Sequence, residues 1–360
     1  MRFLGQRTSR RRFLAGALTA FGSASLGFRL GIGRRQFAAA QTAPSACGAD
    51  VRHLSWVWQF SSDSSPKEIA PVLAAHNLGV TLKTHDGSEW MAKYDTSPQA
   101  VSGPEQVSLL ARYFESYGVP FHAWAVVKGV EPKREAAMCA DVLAVGARSI
   151  TLDLEPWRGF WQGTREDALT FGQELRQRQP WAVVKTAVDP RPWVISQVPL
   201  AEFVSFSNAL MPLIYWESFA TADNIEKFAA SGSPPTGGAV TPEFLLNVTT
   251  TILQGYNLPI EPTGQGASRD MDAWRRFVDH ASQLGMKSVS VWRHGVTDPQ
   301  VWRLLKEKSP VGESYLVQPG DTLSALAQQW GVGVDDIVQA NNIADPSLIY
   351  VGQELCIPGR

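Results

Sequence analysis

The stretch Ser149-Ile150-Thr151-Leu152-Asp153-Leu154-Glu155-Pro156-Trp157 decides the fold. Apolar and β-branched residues lead into two carboxylates and then a proline, which is how a buried parallel strand reads where it reaches a rim. Side chains of a strand alternate and each residue adds about 3.3 Å, so Asp153 and Glu155 point to one side with Cα atoms about 6.6 Å apart. Leu152 and Leu154 point to the other side, towards covering helices. Pro156 has no N–H for a ladder and biases Glu155 towards extended geometry. Glu155 is therefore expected at the strand exit, with Asp153 one layer deeper.

Outward from this strand, residues 52–308 alternate short β-branched or aromatic runs with amphipathic helical stretches. The expected strands are Leu54–Phe60, Gly79–Thr84, Phe121–Val127, Ser149–Leu154, Ala182–Val188, Ala209–Tyr215, Leu245–Ile252 and Ser288–Trp292. Between them the spacing predicts helices such as Pro66–His76, Glu105–Tyr117, Arg134–Leu143, Arg165–Arg178, Asp223–Ala230 and Met271–Leu284, with Pro299–Lys308 last. Eight strand–helix units over about 250 residues imply a (β/α)8 TIM barrel of the α/β class rather than an open doubly wound sheet, which uses fewer strands.

The formal net charge of −1 hides an asymmetry. Residues 1–41 hold eight arginines and no acid, leaving 25 basic against 34 acidic residues, a net of −9, in the rest. That balance argues against nucleic-acid binding, which rests on a basic footprint. Ser9-Arg10-Arg11-Arg12-Phe13-Leu14, a mildly apolar run to Phe28 and Ala38-Ala39-Ala40 resemble a twin-arginine export signal. The expected plan is a signal over 1–40, a tether over 41–51, the barrel over 52–308, a linker over 309–313 and a small module over 314–360. The expected destination is the extracellular space or cell wall, as a monomer without membrane insertion of the mature chain. Cys47, Cys139 and Cys356 are odd in number and far apart, with no zinc-type spacing, and no Rossmann glycine fingerprint, P-loop or H-E-x-x-H occurs. No metal and no cofactor are implied.

Chemistry in such a barrel collects at the carboxyl ends of the strands. Two carboxylates as close as Asp153 and Glu155 cannot both ionise freely, so one is expected to keep a proton near neutrality, as a glycosidic acid must. Trp58, Trp124, Trp157, Trp161, Tyr215, Trp216 and Trp292 crowd the same predicted ends and suit a groove for sugar rings. Polar rim candidates are Lys83, His85 and Asp86 after strand two, Lys185 and Asp189 after strand five, Glu217 after strand six, Glu261 after strand seven, and Arg293 and His294 after strand eight.

The D-x-E of Asp153 and Glu155, with Met211-Pro212-Leu213-Ile214-Tyr215-Trp216 and a strand ending in Trp292, resembles barrel glycoside hydrolases of N-acetylhexosamine polymers, especially the family 25 lysozyme type. The resemblance implies that Glu155 is the general acid and that Asp153 assists at the anomeric side or positions the acetamido group. Arg148 and Thr151 stand where family 18 chitinases carry the extra aspartates of their longer D-x-x-D-x-D-x-E motif, a departure from that family.

The tail reads differently. Tyr315-Leu316-Val317-Gln318-Pro319-Gly320-Asp321-Thr322-Leu323, then Leu326-Ala327, Ile337, Asn341-Asn342, and Val351-Gly352-Gln353-Glu354-Leu355-Cys356-Ile357-Pro358 closely resemble a LysM module. The expected order is strand, helix from Asp321 or Thr322 to Trp330, helix from Asp335 to near Asn342, strand. The resemblance implies a shallow groove for N-acetylglucosamine-containing glycans such as peptidoglycan, made by Gly320, Asp321, Thr322 and Leu323 with Asn342, Ile343 and Ala344. Five acids against Arg360 leave glycan capture to hydrogen bonds and apolar contact. Two functions are compatible with this reading: an exported cell-wall glycosidase, or a non-catalytic wall-binding protein with a degenerate barrel.

Overall fold

A computed structural model describes residues 52–309, 313–341, 343 and 345–357. The predicted signal and tether, positions 310–312 of the linker, and Asn342 and Ala344 lie outside the described residues. Eight parallel strands form the barrel: β1 (Leu54–Val57), β2 (Gly79–Asp86), β3 (Phe121–Val126), β4 (Ser149–Leu154), β5 (Val183–Val188), β6 (Ala209–Ile214), β7 (Thr263–Gln265) and β8 (Ser290–Trp292). Each pairs with its neighbours in sequence, and β1 pairs with both β2 and β8, which closes the barrel. A two-residue antiparallel strand, Glu89–Trp90, folds back on the end of β2.

The alternation seen in sequence sets the layers. Leu152 and Leu154 of β4 lie in the main core between strands and helices. Inside the barrel, Trp56, Trp124 and Trp292 meet with ring centroids 5.1–5.6 Å apart and are joined by Val126, Ala187 and Met211. Their polar ends are satisfied: Trp56 Nε1 donates to Ser290 Oγ at 2.9 Å and Trp124 Nε1 to the Val57 carbonyl at 3.0 Å. Three indoles thus plug the middle of the barrel and floor whatever opens above them.

One expected strand is a helix. Leu245–Ile252 is rich in β-branched residues, yet it lies within the helix Pro242–Leu253. Thr241 caps that helix by accepting from the Phe244 N–H, and Pro242 sits at its first turn, where a missing N–H costs nothing. Leu245, Leu246, Val248, Thr249 and Leu253 are its buried face, so packing at a 3.6-residue period outweighs strand propensity. The true seventh strand is three residues long. At its centre a Cβ on Gly264 would stand 2.5 Å from a ring carbon of Trp274, so only glycine lets the helix Met271–Gln283 seat that close.

The C-terminal module has its own core of Val317, Leu323, Leu326, Ala327, Ile337, Leu355 and Ile357. Strands β9 (Glu313–Leu316) and β10 (Glu354–Ile357) pair antiparallel, with helices Leu323–Trp330 and Val334–Ala340 between them in sequence. Thr322 caps the first helix by accepting from the Ala325 N–H, and Gly331 ends it in the left-handed region.

Candidate active site

A cavity of about 280 Å³ opens at the carboxyl end of the barrel. Trp56, Trp58, Trp124, Tyr215, Trp292 and Phe160 wall it, and Lys83, Asp153 and Glu155 supply its charged atoms. Of the expected site residues, Trp58, Lys83, Trp124, Asp153, Glu155, Tyr215 and Trp292 meet there, because each falls on the inward parity of its strand or one step beyond its end. Trp56 was missed, although it stands two residues before Trp58 and so shares its side.

Burial and charge separate the two carboxyls. Asp153 is buried, and burial, the neighbouring Glu155 and Asp86 raise its pKa well above the carboxylate range, opposed by Lys83. Among the described residues no cation lies within ion-pairing distance of it. Glu155 stands nearer the opening. Burial first, then the charge of Asp189, raise it to about 7, opposed by a hydrogen bond from Trp157 Nε1 to its Oε2 at 2.5 Å and by Arg191. Burial and the carboxyls of Asp153, Glu155 and Asp189 also push the Tyr215 phenol up, so it stays a neutral donor. The site therefore holds two carboxyls that retain protons to unusually high pH, inside an aromatic-walled pocket.

Lys83 reaches the pocket through an irregularity. The β2–β3 register slips between Lys83 and His85, so Lys83 and Asp86 both face inward, opposite Trp124 and Val126. The Lys83 ammonium lies 4.9 Å from the Trp124 ring centroid and 2.7 Å from Asp86 Oδ2. Asp86 also pairs with Lys128. The same slip turns His85 outward, where it is buried beside Thr84, Cys139 and Trp90 and its pKa falls to about 3 through burial. His85 is therefore no rim group.

Other expected site residues are placed elsewhere. Trp216 follows Tyr215 on the opposite parity and packs against Trp274 and Phe277, with ring centroids at 5.3 and 5.6 Å. Trp161 is buried against Phe203. Glu261 precedes β7 instead of following it, because the strand lies later than expected, and it pairs with Lys185 at 2.5 Å in the amino-terminal half of the barrel. Arg293 pairs with the fully buried Asp63 and lies 5.1 Å from the Trp58 ring, so it braces the pocket wall. Glu217 accepts from Gln265 and Ser268, and the ring of His294 stacks on Trp302. In the C-terminal module, Leu323 is buried in the core, Asp321 accepts from the Tyr315 hydroxyl and the Gln318 N–H, and Thr322 is the helix cap. Gly320 sits in the intervening turn with φ +94°, and Ile343 packs on the core.

A larger cavity, about 570 Å³, lies at the opposite end of the barrel. Its buried His53 is fully engaged, accepting from the Val289 N–H at Nδ1 and donating to the Lys308 carbonyl at Nε2, so it offers no free acid or base. Among the described residues no cluster of three or more His, Cys, Asp or Glu is arranged to hold a metal ion, and no helix is long and apolar enough to cross a membrane.

Comparison with known proteins identifies the C-terminal part by family. Residues 315–358 match the LysM domain family. Over 45 residues the chain is 47% identical to the N-acetylmuramoyl-L-alanine amidase XlyA of Bacillus subtilis, a match covering 12% of this chain and 15% of that protein. The chain spans between 10% and 19% of the length of the curated relatives it matches. Among solved structures, the spore cortex-lytic enzyme SleL of Bacillus megaterium QM B1551 aligns at TM-score 0.42 and 12% identity, over 71% of this chain and 73% of that one. The PgaB (BpsB) glycoside hydrolase domain of Bordetella bronchiseptica aligns at TM-score 0.47 and 11% identity, over 71% and 98%. The chain carries a closed eight-stranded parallel barrel followed in sequence by a C-terminal LysM domain.

Proposed function

We propose that the protein is an exported glycosidase of the cell wall, cleaving peptidoglycan or a related N-acetylhexosamine polymer. The observation that carries this reading is the pairing of Glu155, raised to about 7, with the buried Asp153 in a pocket walled by indoles and a phenol. An acid poised near working pH is what departure of a sugar alcohol requires. Glu155 gives its proton to the bridging oxygen as the C1–O bond breaks, and the leaving sugar departs with the bond's electron pair as an alcohol. Water then supplies hydroxide to C1 and returns its other proton to Glu155. Asp153, protonated and below it, donates a hydrogen bond at the anomeric side or to the acetamido group. The cavity has room for one ring, so the rest of the polymer lies across the rim. The LysM domain keeps the barrel on its substrate by raising local concentration, and the twin-arginine-like N-terminus accounts for export.

The test is mass spectrometry of soluble N-acetylhexosamine oligomers after incubation with the protein. New reducing ends are expected with the wild type, and Glu155→Gln is expected to lower their rate at least about 100-fold. Equal rates for the two proteins would remove Glu155 from the mechanism. Absence of any cleavage would favour a wall-binding protein with a non-catalytic barrel.

A further inference from the structure

Trp157 follows the acid by two residues, and 39% of it is exposed at the rim. Its indole N–H donates to Oε2 of Glu155 at 2.5 Å. An indole nitrogen can only donate, so Oε2 must accept, and since the carbonyl oxygen of a carboxylic acid accepts far better than its hydroxyl oxygen, this arrangement favours Oε2 as the unprotonated oxygen. The other oxygen, Oε1, is left to hold it.

The indole is backed by a braced cation. Arg191 forks onto Asp189, with Nε 3.0 and 3.1 Å from the two carboxylate oxygens and Nη2 2.5 Å from Oδ2, and its Nη1 donates to Asn224 Oδ1 at 3.1 Å. Its guanidinium carbon lies 4.3 Å from the Phe219 ring centroid, 5.8 Å from that of Trp157 and 5.9 Å from that of Trp193. Held by two acceptors and three rings, this side chain has little freedom and restricts the indole beside it.

We propose that Trp157, backed by Arg191, is a positioning residue that reserves Oε2 of Glu155 and directs the transferable proton to Oε1. This rests on the reading of Glu155 as the acid. It gives Trp157 a role distinct from stacking on sugar, which any aromatic side chain would serve.

Two measurements test it on the full chain. In protein labelled with ¹⁵N-tryptophan, the Trp157 indole N–H resonance, assigned by its loss in Trp157→Phe, is expected to move as pH passes through the Glu155 transition near 7 and to stay still in Glu155→Gln. A resonance that does not move in the wild type overturns the hydrogen bond, whether or not the protein cleaves anything. In kinetics, Trp157→Phe keeps a stacking ring and loses the donor. The groups facing Glu155 there, Asp153, Asp189, Arg191, Tyr215 and the more distant Lys83, are unchanged. The kcat is expected to fall about tenfold, the value of one hydrogen bond to a charged group, with KM within about twofold. Because the donor favours the charged carboxyl, its loss is expected to move the alkaline limb of the pH profile to higher pH. A raised KM with unchanged kcat and limb would make Trp157 a stacking platform only. A wild type inactive on every N-acetylhexosamine polymer would overturn the glycosidase reading, leaving the resonance to decide the hydrogen bond.

Discussion

Asp153 and Glu155 share a strand, a side and a chemistry, and differ in depth. Depth alone leaves Asp153 buried among Lys83, Asp86 and Glu155, while Glu155 faces Asp189, Arg191 and the indole of Trp157. The sign of each neighbour is testable. Asp189 raises Glu155 because two like charges at close range resist ionising together. In Asp189→Asn the charged form of Glu155 is no longer opposed, and Arg191, freed of its partner, favours it further. The alkaline limb of kcat/KM, where the acid is lost, is therefore expected to move to lower pH, opposite to the Trp157→Phe shift. A limb that stays in place would remove Asp189 from the electrostatics of the site. Period-two alternation placed Asp153, Glu155, Trp58, Trp124 and Tyr215 correctly in the pocket because they sit on regular strand or directly at its end. His85 was misplaced because one slip in register at Lys83/His85 reverses parity for everything after it, and no residue type announces that slip.

Between strands and helices, the legible parts were those with strong punctuation. The bounds of β4 coincide with the sequence reading, since Pro156 stops the strand and Arg148 and Ser149 start it after a glycine-ended helix. The seventh strand was illegible: three residues, Thr263–Gln265, set among proline and glycine, carry too little pattern to outweigh the longer β-branched run that packs as a helix. The pocket rim also depends on a clamp that sequence did not show. Glu135, almost fully buried at the start of the helix Pro132–Ala144, accepts the backbone N–H groups of Lys128, Gly129, Val130 and Glu131 at 2.8–3.1 Å. This fixes the loop after β3, from which Lys128 reaches Asp86. Glu135→Ala leaves these donors without their acceptor, and an expected loss of about 3 kcal/mol would lower the thermal midpoint by roughly 6–12 °C. Calorimetry checks this. A midpoint within about 2 °C of wild type, less than the shift for 1 kcal/mol, would show the clamp to be dispensable.

At the scale of the whole chain, two cores stand apart. The barrel buries its own set of apolar residues and the LysM domain buries another, so the proposed cutting and holding are expected to be separable by mutation. The tail was legible through its resemblance to the LysM pattern, because a short domain with a fixed order of strand, helix, helix and strand leaves few positions free. The barrel's pocket is less legible, because pocket-lining aromatics and core aromatics are the same residue types and only their parity tells them apart. The most direct measurement is a paired assay on purified peptidoglycan, sedimentation for binding and mass spectrometry for released muropeptides. It compares wild type, Glu155→Gln and a chain lacking residues 314–360. Wild type is expected to bind and release. Glu155→Gln is expected to bind without release, and the truncated chain to bind weakly while still cleaving short soluble oligomers. Release by Glu155→Gln at the wild-type rate, or binding by the truncated chain at the wild-type level, would contradict a barrel that cuts through Glu155 while its LysM domain holds the wall.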